Sequence, residues 1–135
     1  MAESISVITT VGRRKLCMAH AGDAALPKIA KMAWGDGGVD ENGQPLGATG
    51  NEIGLYHQLL EKDIESHTYV NDEQTTCRYT STLEAGELDG KEISEMGLFD
   101  EEGDLIVYRN FLRKGKDADI PQIYNMDEIF LPVGS

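Results

Sequence analysis

Residues 93–109 read Ile93-Ser94-Glu95-Met96-Gly97-Leu98-Phe99-Asp100-Glu101-Glu102-Gly103-Asp104-Leu105-Ile106-Val107-Tyr108-Arg109. Two apolar runs rich in strand-forming side chains flank Asp100-Glu101-Glu102-Gly103, four residues that favour a turn. The glycine stands where the chain leaves such a turn in a left-handed conformation, so an antiparallel hairpin is predicted, with strands over 93–99 and 105–112.

A hairpin alone is marginal in water and needs further strands or a helix to cover its apolar face. Upstream, Thr75-Thr76-Cys77-Arg78-Tyr79-Thr80-Ser81-Thr82-Leu83 supplies a strand with Cys77, Tyr79 and Leu83 on one face. Residues 28–34 supply another, placing Ala30, Met32 and Trp34 on one side at a period of two, with Trp34 in the core. Gly35-Asp36-Gly37-Gly38 and the polar residues up to Pro45 then predict a loop. Near the start, Thr9 or Thr10 can cap a helix that runs through Val11, Leu16 and Met18 to a stop at Gly22. Arg13, Arg14 and Lys15 read as its solvated face.

Residues 55–64 fit either two or three helical turns or an irregular strand. The segments 38–54 and 113–119 are expected to be loops or arms. Residues 120–135 hold Ile120, Ile123, Tyr124, Met126, Ile129, Phe130 and Val133, more apolar character than a free tail needs. They are expected to be an apolar arm, read here as partner-binding, or a last strand around 129–133. The predicted fold class is α+β: an N-terminal helix packed on mainly antiparallel strands. Its attachment body spans 1–119, with 120–135 as the C-terminal arm or strand.

The chain of 135 residues is 40% apolar, enough for one core and too short for a second large domain. It carries 12 Lys and Arg against 24 Asp and Glu, a net charge of −12, which excludes a phosphate-binding surface of the kind nucleic acids and anionic membranes require. Residues 1–50 are balanced, so 51–135 hold the whole net charge. Cys17 and Cys77 stand sixty residues apart, which suits neither a disulfide scaffold nor a thiolate zinc site and predicts a reducing compartment. The N-terminus lacks a basic leader, and no apolar run reaches bilayer length.

Catalytic patterns are weak. Cys17 and His20, three apart on the predicted helix, form a pair that chance supplies easily, and adding His57 and His67 gives no compact ligand motif. The acidic runs 36–42 and 100–104 do not follow the EF-hand spacing, and Gly35-Asp36-Gly37-Gly38 lacks the Lys-Ser/Thr pair of a phosphate loop. No enzyme, metal or cofactor is predicted.

The helix-like start at Thr10-Val11-Gly12, Gly35-Asp36-Gly37 after a short strand, the segment 59–64, and above all Glu95-Met96-Gly97-Leu98-Phe99-Asp100-Glu101-Glu102-Gly103-Asp104-Leu105 resemble, in order, the N-terminal domain of phage tail-collar fibre proteins. The resemblance covers about residues 8–112. It implies a structural component that attaches a receptor-binding fibre to the baseplate of a contractile phage tail or a tail-like bacteriocin. Its partners would be baseplate proteins and a fibre subunit, with a homotrimer by analogy. It would be made in the host cytoplasm and then carried on the particle, binding neither nucleic acid nor membrane. Trp34, Gly35, Asp36, Gly37, Glu95, Gly97, Leu98, Phe99, Asp100, Gly103 and Leu105, with Ile129 and Phe130 from the C-terminal segment, are expected to define the fold or its contacts. Fibres of this family continue far beyond 135 residues, so the chain is expected to be either a stand-alone adaptor, the reading preferred here, or a fragment of a longer product. A small acidic protein-binding module or an assembly factor not retained in the particle is the alternative, with a Cys/His hydrolase third.

Overall fold

Thr9 fixes the start of the first long element. The structure, a computed structural model, describes residues 6–131. A two-residue strand, β1 (Val7–Ile8), leads into the helix α1 (Thr10–His20). Thr9 is fully buried; its Oγ1 accepts the Gly12 N–H at 3.0 Å and donates to the Leu105 carbonyl at 2.7 Å. One hydroxyl thus satisfies a free amide of the first helical turn and fastens it to the sheet.

Seven strands follow: β2 (Ile29–Gly35), β3 (Gln58–Asp63), β4 (Ser66–Tyr69), β5 (Thr76–Leu83), β6 (Glu92–Asp100), β7 (Leu105–Gly115) and β8 (Gln122–Ile129). One sheet runs β1-β7-β6-β2-β3 and the other β4-β5-β8, with every pairing antiparallel. The chain changes sheets within two residues. Ile64 still donates its N–H to the Ala30 carbonyl of the first sheet, and Glu65 donates to Thr80 of the second.

The first sheet is covered on both faces, which explains why β2, β6 and β7 are apolar in near-continuous runs rather than in alternation. Towards the second sheet point Met32, Trp34, Met96 and Leu98, which pack with Leu83 and Met126. Trp34 meets Tyr124 edge to face, with ring centroids 5.8 Å apart. The other face presents Ala33, Phe99, Leu105 and Tyr108, packed against Ala48 and Leu55 of the β2–β3 connection. Each fully buried Leu, Met or Ile of these layers contributes about 1.5–3 kcal/mol.

The hairpin, the helix and the strands near 28–34 and 75–83 lie where the sequence predicts them. Other expectations need correction. Of the two readings open for residues 55–64, the strand is the one formed, over 58–63, because pairing with β2 outweighs the helical spacing of Leu55, Leu59 and Leu60. The segment 113–119 is not wholly a loop: β7 continues to Gly115, and Lys116 is buried. The last strand occupies 122–129, earlier than 129–133, because the whole of β5 pairs with it from Thr76↔Ile129 to Leu83↔Gln122. Residues 132 and 133 lie outside the described chain. Strand β4, four residues long with each of them exposed, carries no signal that the sequence reading caught.

Candidate functional site

Glu95 lies at the centre of the residues that carry the resemblance. Its place on β6 turns it to the face covered by the β2–β3 connection, where it is fully buried. Its Oε2 accepts the N–H of Gly37 at 2.9 Å and of His57 at 2.8 Å, and its Oε1 accepts the N–H of Tyr56 and the hydroxyl of Tyr108, both at 2.8 Å. Four donors thus converge on a side chain that, as a carboxylate, can only accept. Burial and the bond to Glu95 push the Tyr108 phenol well above its ordinary range.

The glycines make this approach feasible. A Cβ at Gly35 would stand 2.4 Å from the His57 carbonyl oxygen and 2.5 Å from Glu95 Oε2. At Gly37 it would meet Tyr56 Cβ at 2.6 Å and Glu95 Oε2 at 2.8 Å. Gly97 leaves the space that the Leu55 and Leu105 methyls fill. Ser94 adds a bond from its hydroxyl to the Gly37 carbonyl at 2.7 Å. Asp36 points outward and bonds His57 Nδ1 at the surface. Gly35, Gly37, Glu95 and Gly97, distant in sequence, therefore form one knot that fixes both ends of the connection between β2 and β3.

A second cluster holds the hairpin turn. Asp100 Oδ1 accepts the N–H groups of Glu102 at 3.0 Å and Asp104 at 3.1 Å, while Gly103 takes the left-handed conformation with φ of 86°. Lys15 reaches into this turn, with Nζ 2.6 Å from Asp100, 2.7 Å from Glu102 and 2.6 Å from Asp104. Lys15 is thus not part of a solvated face; the charge density of the turn draws it in, whereas Arg13 and Arg14 are exposed. Desolvation lowers the ammonium's pKa, but the bonds to Asp100, Asp104 and Glu102 outweigh it and leave the pKa raised. Among the described residues these three carboxylates are the group whose oxygens converge closely enough for a metal ion, and the Lys15 ammonium sits among them.

Leu98, Phe99, Leu105 and Trp34 are buried in the two core layers. Ile129 ends β8 opposite Thr76, and Phe130, partly exposed, donates its N–H to the Thr75 carbonyl at 2.9 Å. Phe130 also lines a groove of about 160 Å³ between α1, residues 26–29, β5 and β8, with Glu128 in its lining. Cys17 and His20 lie on α1, His57 just before β3 and His67 on β4. Sequence reasoning missed Tyr108, Lys15 and Glu128. For Tyr108 the signal was its place in the hairpin two residues from Asn110, which pairs with Glu95; for Lys15 and Glu128 local sequence offered none.

These side chains anchor the domain's own loops and turn, an arrangement that suits a rigid structural module. The chain belongs to the family described as phage tail-collar fibre protein, N-terminal, which it matches over residues 1–124. No curated protein and no solved structure shows a significant match. Its role is structural, within the tail-fibre and baseplate apparatus.

Proposed function

We propose that this chain is the attachment domain joining a receptor-binding fibre to the baseplate of a contractile tail or tail-like particle. Family membership across residues 1–124 is the observation that carries the reading. Its partners are then baseplate proteins and a fibre subunit, its own assembly state a trimer, and its path one from the host cytoplasm into the particle. The residues of the Glu95 knot are the ones we assign to holding the attachment loop in shape. In support, Leu46, Ile53 and Tyr56 of that loop expose large apolar side chains beside the fixed backbone. Pairing of β8 with β5 supports reading residues 122–129 of the C-terminal segment as a last strand of the attachment body rather than an arm.

The test is mass spectrometry of particles sedimented from a lysate after prophage induction. A fixed, low ratio of this chain to sheath and tube subunits is expected. Abundant particles that lack the chain would defeat the proposal.

A further inference from the structure

Glu128 is a buried acid with an unusual setting. It is 8% exposed and faces inward from β8 beneath Phe130. Among the described residues its polar partner is the Tyr79 side chain, and no ion pair joins it to a lysine or arginine. The walls of the groove above it come from Leu16, Leu26, Pro27, Ile29, Ile106 and Phe130. Two cations border the groove, but Lys15 is committed to Asp100, Glu102 and Asp104, and Lys28 is exposed at the rim. Asp100 is the other acid facing it and is occupied by Lys15.

A buried carboxylate without a cation is costly, and the cost is relieved either by protonation or by a cation brought to it. The cavity of about 160 Å³ is smaller than small-molecule sites, which run from about 300 to 1,000 Å³. It suits a single side chain with an apolar stem and a charged end, the chemistry of lysine and arginine. Charge complementarity points the same way, because a chain with net charge −12 attracts a basic surface.

We propose that the groove receives one lysine or arginine side chain from a neighbouring protein of the tail assembly, its stem along Leu16, Ile29 and Phe130 and its head on the Glu128 carboxylate. The location of the partner rests on the attachment reading; the chemistry of the groove does not. Burial pushes the Glu128 carboxyl up to about 7, so pairing is favoured above that value and weakened in acid.

The test is a methyl NMR titration of the full chain with Nα-acetyl-lysine methylamide, using the norleucine analogue as the uncharged control. At about pH 8, saturable shifts are expected at Leu16, Leu26, Ile29 and Ile106. Binding should be about tenfold weaker for norleucine, the worth of one charged hydrogen bond. The lysine-dependent part should vanish in Glu128→Gln and, in the unaltered protein, at about pH 5, where the acid is protonated. That acid arm keeps the test valid if the variant folds poorly. No saturable shift, equal binding of both probes, or lysine preference that survives either Glu128→Gln or acid would overturn the proposal. Particle sedimentation reads a separate property, so failure of either result is distinguishable from failure of the other.

Discussion

The hydroxyl of Tyr108 donates to Glu95 Oε1 at 2.8 Å between two neighbouring strands, on the same carboxylate that holds the backbone of Gly37, Tyr56 and His57. A hairpin side-chain pair therefore governs the path of a connection that begins sixty residues earlier in the chain. Glu95→Gln keeps the shape but leaves one acceptor oxygen for four donors and turns an NH2 group towards the rest. A loss of about 3 kcal/mol is expected, against about 1–2 kcal/mol for Tyr108→Phe. Urea denaturation measures both. Hydrogen exchange adds a local readout: the amides of Gly37, Tyr56 and His57 should be protected in the parent and exchange faster in Glu95→Gln.

Gly35→Ala should destabilise the domain by about 3 kcal/mol, the upper part of the range for forced overpacking. The obstacle is the His57 carbonyl, part of the backbone and unable to rotate away. Gly97→Ala should cost less, because its nearest neighbours are methyl ends of Leu55 and Leu105. Equal midpoints for the two variants in thermal unfolding would contradict this ranking.

Lys15→Met retains the stem and removes the charge among three carboxylates. Asp100, with a side chain 1% exposed, would then be left without its cation. The expected loss is about 3 kcal/mol. Arg14→Met on the exposed face should stay within about 0.5 kcal/mol of the parent. Denaturant midpoints for the pair separate a structural lysine from a solvated one.

Stability should fall with rising pH through a window set by Glu128. Unfolded, this acid ionises near its ordinary 4.5; folded, it keeps its proton up to about 7. The folded chain therefore binds more protons between those values, and its advantage, greatest below about 4.5, is lost as pH rises through about 7. The shift corresponds to a decline of about 3 kcal/mol. Glu128→Gln should remove that slope, so the difference between parent and variant should tilt towards the variant as pH increases. A difference that stays constant from acid to mildly alkaline pH would refute the assignment.

The elements whose signals are local were legible in the chain. Thr9 and Thr10 announce the helix start through their capping oxygens, and Asp100 with Gly103 announces the hairpin through turn chemistry. The ordered run of Gly35, Gly37, Glu95 and the residues after it carried the resemblance to the family. Folding alone brings Gly35 and Gly37 against Glu95, since those contacts span about sixty residues and leave no periodic trace. Likewise, Leu55, Leu59 and Leu60 fit a helix as readily as an irregular strand, and pairing with β2 decides for the strand. Lys15 reads as surface until the folded turn places three carboxylates around it, and Glu128 reads as one acid among many until β8 turns it inward. Local propensity is written in neighbouring residues; burial, charge pairing and strand partnership arise when distant segments meet.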